Sequence, residues 1–287
     1  MSLWQIILAS ILAIVVTPFI GGLLRGVDRK LTARMQGRRG PPIQQPFYDV
    51  LKLFSKQTIT TTRTQLVLAY GYLLVIVATL VLFALGQDLL MVILVLGVGS
   101  VCLVLGSLSV RSPYSQFGGH RELLQMLAYE PILILVAVAI YLKTGAFFIG
   151  NILGQSEPLL PSLWVAYLAM LIALIIVMRK SPFDIAASEH AHQEIVRGVF
   201  TEYSGPYLGL IELAHWYEMV LLLSIISLLW VPGIWPGILL ALFSFFVVLV
   251  IDNITARLTW SWMLRVSWIG GLGLVVLNLA GLHFFGG

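Results

Sequence analysis

The chain has 287 residues, 59% hydrophobic and 10% charged, with a formal net charge of +4. Soluble domains carry roughly 25% charged residues, so the composition excludes a soluble globular protein. Runs of about 20 apolar residues, long enough to cross a hydrocarbon core as helices, recur throughout, whereas barrel strands would be shorter and would alternate in polarity.

The expected fold is therefore all-α: a polytopic integral membrane protein with eight transmembrane helices and functional cytoplasmic loops, forming a single transmembrane domain over 1–287. The spans fall at about 3–25, 66–86, 88–110, 122–142, 162–179, 207–231, 237–256 and 264–284. The first lacks a basic n-region and its positive charge follows it, so it is expected to be a retained span and not a signal peptide. The connection 26–65 is basic, with Arg34, Arg38, Arg39, Lys52 and Lys56 and a Gly40-Pro41-Pro42 turn. Cys102, the single cysteine, lies in the third span as a small apolar residue. With one Cys there can be no disulfide within the chain and no cysteine-ligated cluster.

An ionisable side chain at a span centre costs roughly 2.5–3.5 kcal/mol on insertion scales, so each one needs a reason. Glu130 sits about two turns into the fourth span, among apolar turns and with no base at i±4, while Arg121 and Glu122 stand at the span's mouth. Glu212, His215 and Glu218 recur every three residues in the sixth span and form one polar stripe on an apolar helix. Asp252 lies near the end of the seventh, about one turn before Arg257, its candidate ion-pair partner. Between the fifth and sixth spans runs SPFDIAASEHAHQEIVRGVFTEYSG, 181–205, within the acidic and His-bearing loop 180–206. It carries Asp184, Glu189, His192, Glu194 and Glu202 and follows an Arg179-Lys180 pair read as a membrane anchor. Carboxylates and imidazoles in low-dielectric, hydrated settings can have pKa values near neutrality, which makes them capable of passing protons.

Eight spans place both termini on one side. Every Lys and Arg except Lys143 falls in or beside 26–65, 111–121, 180–206 and 257–263. By the positive-inside rule those connections are cytoplasmic and both termini lie outside. The basic excess thus reflects orientation, and no nucleic-acid partner is expected.

The motifs then become specific. PFDI at 182–185, E-I-V-x-G ending at Gly198, TEYSG at 201–205, and DRKLTARMQGRRGPPIQQPFYDVLKL at 28–53 together resemble the H-type membrane-subunit family of respiratory complex I. The block from Arg121 to Tyr129-Glu130 is a third match. The short segment after Pro41, R-E-x7-E-P at 121–131, K-L-x-x-[KR]-Q at 52–57 and [DE]-N-x-x-A-R-L at 252–258 resemble the branch found in energy-converting nickel–iron hydrogenases and formate hydrogenlyase. The loop around SEHAHQE is longer than the family's. Glu194 aligns with the second acid of its E-x-E, His192 occupies the first, Glu189 stands in for it, and His215 falls where complex I has Glu.

The resemblance implies a membrane subunit of a prokaryotic cell-membrane complex that docks a peripheral redox arm and couples electron transfer to proton or sodium translocation. Implied partners are hydrogenase large and small subunits, an iron–sulfur subunit and antiporter-like membrane subunits, besides the lipid bilayer. The chain would bind no cofactor, the nickel–iron centre and iron–sulfur clusters residing on partners, and would hold no catalytic residue. Its relay groups would be Asp184, Glu189, His192, Glu194, Glu202, Glu122, Glu130, Glu212, His215, Glu218 and Asp252; Arg34, Arg38, Arg39, Lys52 and Lys56 would dock the arm or anchor to anionic headgroups. The alternatives are a quinone-site subunit of a complex I-type oxidoreductase, and a stand-alone secondary transporter, for which repeat symmetry or broken helices would be expected. An intramembrane enzyme has no supporting H-E-x-x-H or G-x-S-x-G motif.

Overall fold

A computed structural model describes residues 3–59, 62–186 and 197–285. Eight of its helices are long and apolar enough to cross a membrane. They are α1 (Leu3–Met35), α3 (Arg63–Ala84), α4 (Leu89–Leu108), α5 (Pro113–Thr144), α7 (Leu160–Val177), α8 (Gly205–Ser227, continued by a short 3₁₀ turn), α9 (Ile234–Ile254), and the run Trp260–Phe285. That run consists of α10 (Trp260–Arg265), a π-helical stretch over Val266–Leu272 and α11 (Gly273–Phe285). Two shorter helices, α2 (Gln45–Ser55) and α6 (Ile149–Leu153), lie in connections. The all-α, multi-pass membrane architecture expected from the apolar runs is the one found.

Helix ends go beyond the apolar runs. α1 continues ten residues past Arg25, and α5 begins at Pro113, inside the expected 111–121 connection. A hydropathy run ends where side chains need water, whereas a helix ends where its backbone loses partners. The polar extension of α1 is kept helical by side-chain bonds, with Arg25 and Thr32 both reaching Asp28 at 3.3 Å. Past Met35 the chain turns at Gly37 and folds back, so that a Cβ on Gly26 would sit 1.9 Å from the Ile43 carbonyl oxygen. α2 is thereby laid against α1 and α8. Phe47 stacks edge-on against Trp216 with ring centroids 5.4 Å apart, and Ser204 donates to the Ile59 carbonyl at 2.8 Å.

α8 is the axial element. It packs on α1, α2, α3 and α9, and Ile211, Ala214, Leu221 and Ile226 are fully buried. α3, α4, α5 and α7 continue the bundle in sequence order. By contrast α1 turns Leu8, Leu12, Val15 and Phe19 outward, the expected face for lipid.

Two prolines interrupt spans, and each leaves the carbonyl four residues earlier without its helical donor. Both carbonyls are taken up from a neighbouring helix. Pro18 frees Ile14, whose oxygen accepts from the Tyr217 hydroxyl at 2.7 Å. Pro131 frees Leu127, whose oxygen accepts from the Trp268 indole at 3.2 Å, from within the π-helical stretch. A backbone acceptor left bare in hydrocarbon costs several kcal/mol, so these two bonds tie α1 to α8 and α5 to the last span. Interrupted helices, which the hydropathy pattern does not disclose, are thus present. They serve packing here.

Candidate functional site

α7 ends at Val177, and its last turn closes in a reversed conformation, with the Arg179 and Lys180 amides bonding back to the Ile176 and Ile175 carbonyls. Arg179 takes φ 50°, the left-handed geometry of a helix terminator. This aims its guanidinium into the bundle. There Arg179 reaches Glu122 of α5 with Nη2 at 2.6 Å from Oε1 and Nε at 3.4 Å from Oε2. Both side chains are largely buried, at 13% and 7% exposure. Burial works against the Arg179 charge, and the Glu122 carboxylate paired with it, with Glu218 nearby, offsets that cost.

The same guanidinium contacts Nε2 of His215 through Nη1. Arginine can only donate, so Nε2 is the acceptor and the imidazole proton sits on Nδ1. Tyr72 and Phe200 hold the ring edge-on, with centroids at 5.7 and 5.2 Å, and Phe200 also lies under Arg179 at 5.3 Å. Tyr72 donates to Glu218 Oε2 at 2.9 Å, one turn along α8. The result is one cationic centre between two buried carboxylates, with an imidazole and a phenol in contact. Four elements supply it: α3, α5, the end of α7 and α8.

A second cluster adjoins it. Lys180 reaches Asp28 of α1 at 2.8 Å and Asp252 of α9 at 3.1 Å, while the Ser181 amide donates to Asp252 at 2.8 Å. The expected Asp252–Arg257 pair is not formed. α9 ends at Ile254 and Thr255 is extended, so Arg257 leaves the helix face and pairs with Asp184 at 3.3 Å. Arg179 and Lys180, expected from the sequence to anchor the chain at the membrane surface, are the counter-charges that make both clusters possible.

A cavity of about 160 Å³ lies between the clusters, lined by Arg179, Lys180, Asp184, Glu212, His215, Glu218 and Asp252. Its walls thus gather five of the eleven sequence-predicted relay residues, and Glu122 stands behind Arg179. Glu130 lies apart, half-buried against Gly97 of α4, where a Cβ would come within 2.0 Å of its Oε1. Glu202 is half-exposed and outside the cavity. Glu189, His192 and Glu194 lie outside the described residues. Arg34, Arg38, Arg39, Lys52 and Lys56 are exposed. Among the described residues no three His, Cys, Asp or Glu side chains come together as metal ligands.

The loop motifs are structural clamps on this site. The Phe183 carbonyl accepts from Gln125 at 2.6 Å, fixing PFDI against α5. Gly198, at φ +35°, passes so close to Ala186 that a Cβ would stand 1.9 Å from its carbonyl oxygen, with Gly118 of α5 on the other side. Tyr72, Asp28 and the Tyr129–Ser100 hydroxyl pair at 2.7 Å are not singled out by sequence reasoning. The available signal was three span acids, Glu130, Glu212 and Glu218, with no Lys or Arg near them in sequence.

The chain is thus an eight-span membrane protein that buries paired charge where its polar connections enter the bundle. The family model for NADH dehydrogenase matches residues 7–282, and the chain belongs to that family. Hydrogenase-4 component C of Escherichia coli (strain K12) is 30% identical, covering 91% of this chain and 90% of that one. Formate hydrogenlyase subunit 4 of the same organism is 28% identical over 88% and 91%. The H-type component of the NADH-quinone oxidoreductase of Thermomicrobium roseum is 27% identical over 96% and 95%. A chain of the membrane-bound sulfane sulfur reductase, an archaeal respiratory membrane complex, shares the fold with a TM-score of 0.86 at 24% identity, covering 96% of this chain and 99% of that one. The resemblance drawn from the loop motifs is borne out, including its hydrogenase side.

Proposed function

We propose that this chain is the membrane subunit of an energy-converting hydrogenase complex that couples electron transfer on a peripheral arm to proton or sodium translocation. The observation that carries the reading is the buried Glu122–Arg179–His215 contact with Glu218 beside it, at the entrance to the spans. A proton change there alters a balance of one cation against two carboxylates, which in a low-dielectric setting is felt by every member. The similarity to hydrogenase-4 component C and formate hydrogenlyase subunit 4 supports the hydrogenase branch.

In this reading the whole chain acts as one transmembrane unit, with 26–65 and 180–206 facing the cytoplasm and both termini outside. Nickel–iron and iron–sulfur chemistry belongs to partner subunits. The chain's own acids hold and pass protons, Glu202 in the loop before α8 and Glu130 within α5 among them. Arg34 in the last turn of α1, Arg38 and Arg39 just beyond it, Lys52 in α2 and Lys56 just after it, all exposed, would dock the arm or anchor to headgroups.

The deciding experiment is to purify the tagged complex gently and assay hydrogen evolution from reduced viologen alongside quinone reduction. Hydrogen evolution supports the assignment. Inhibitor-sensitive quinone reduction without it moves the chain to the quinone-site reading, which the NADH-quinone oxidoreductase relatives favour. Recovery of the chain with no partners, even after the mildest extraction, would favour a stand-alone transporter.

Two variants test the parts. Glu130→Gln should leave the complex assembled and cut ion-coupled turnover about a hundred-fold, the low end of what a positioned proton-transfer group contributes; coupling at the wild-type level would remove Glu130 from the path. Arg38→Glu/Arg39→Glu should release the peripheral arm, seen as loss of soluble subunits on a native gel. Full retention would leave these arginines as orientation charges.

A further inference from the structure

A second cavity, of about 230 Å³, lies between α1, α2 and α8 and shares with the first only Arg25, Arg197, Leu208, Glu212 and Trp216. Five bases line it against two acids. One of those acids, Asp49, is taken by Arg29 at 2.5 Å. Burial pushes its carboxyl up, but hydrogen bonds from Arg29 and Gln45 and the nearby charges outweigh it, so Asp49 stays ionised and Arg29 stays occupied. Lys52, Lys56 and Arg197 are different. All three are exposed at the rim, and none forms a side-chain hydrogen bond or ion pair with another described residue. Like charges converging without a directly bonded counter-ion call for an anion.

The surroundings indicate which anion. α2 is amphipathic. Its inner face buries Pro46 and Val50, while Tyr48, Leu51 and Phe54, at three-residue spacing, are 57%, 65% and 40% exposed on the outer face. Beside it α1 exposes Phe19 and Leu23, and a Phe19–Phe47 ring contact at 6.2 Å joins the two surfaces. Such a helix lies in the bilayer interface with its apolar face toward acyl chains. The cavity mouth is then level with the headgroups and bordered by surface that suits lipid tails.

We propose that this cavity holds the phosphate of an anionic phospholipid, with Lys52, Lys56 and Arg197 as its ligands and the tails along α1 and α2. The site requires only that the chain spans a membrane and is independent of the hydrogenase assignment. A bound headgroup would add negative charge to a wall that Glu212 and Arg25 share with the first cavity.

The test is native mass spectrometry of the intact complex, stripped of lipid and re-exposed separately to dioleoyl-phosphatidylglycerol and dioleoyl-phosphatidylcholine. Phosphatidylglycerol should be retained about ten-fold better than phosphatidylcholine. Lys52→Ala/Lys56→Ala/Arg197→Ala should lose that preference, and the charge-keeping Lys52→Arg/Lys56→Arg/Arg197→Lys variant should keep it. Equal retention by the alanine variant overturns the site. Inorganic phosphate that binds without lipid and blocks phosphatidylglycerol overturns the lipid assignment in favour of a free-phosphate site. If the alanine variant sheds a partner subunit while its phosphatidylglycerol preference is unchanged, the bases form a protein-docking surface and the proposal fails.

Discussion

Arg179→Met is expected to destabilise the protein by about 3–5 kcal/mol, the usual cost of removing one partner from a buried ion pair. The reason is what remains behind. Glu122, at 6% exposure, loses the guanidinium it is paired with, and Glu218, at 4%, loses the nearby positive charge. Thermal melting of the purified complex, with the yield of assembled protein, reads the effect. Glu122→Gln/Arg179→Met removes both charges and should recover much of the loss, because no uncompensated carboxylate stays in that pair. A single variant that melts with the wild type, or a double variant no better than the single, would show that the pair does not hold the site together. The design also separates fold from function, since the double variant should be stable and still uncoupled.

Gly198→Ala should cost about 2–5 kcal/mol, combining the left-handed penalty for a side chain with overpacking. The added methyl would stand 1.9 Å from the Ala186 carbonyl, with Gly118 of α5 behind it. Neither neighbour is a flexible side chain that could swing away. Gly37→Ala is the control, because Gly37 has φ +71° but nothing within 4 Å of an added Cβ. Its cost should be only about 1–2 kcal/mol. Equal melting shifts for the two variants would mean that close approach at Gly198 is unimportant and that the loop can move as a body. A larger shift at Gly198 identifies the contact that holds 181–186 and 197–205 together over α5.

These two residues show what the sequence did and did not reveal. Gly198 was visible as part of a motif, but its purpose was not, since a carbonyl twelve residues earlier becomes its neighbour only after folding. The Glu212, His215 and Glu218 stripe was visible because helix periodicity is local. Its partners were not, because Tyr72 meets Glu218 across 146 positions and Arg179 meets His215 across 36. Arg179 and Lys180 were hidden for a different reason. The positive-inside rule already explained them, and a base at a span end looks the same whether it points to headgroups or into the bundle. Asp252 and Arg257 looked like a helical pair only while α9 was assumed to continue to Arg257. The eight spans were legible because lipid demands long apolar runs. Their ends were not, because α1 and α5 run on through polar residues, where a helix persists but hydropathy does not register it.

The proline-freed carbonyls also have a consequence in time. The Ile14 oxygen finds its donor on Tyr217, 203 residues later. At about 5–20 residues per second of synthesis, roughly 10–40 s pass before that hydroxyl exists. The first helix therefore enters the bilayer with a gap in its backbone bonding that only the sixth can close, and its final shape is not a property of its own sequence. Newly made chain ahead of α8 is an unfinished object, and the order of translation makes α8 the element that completes it.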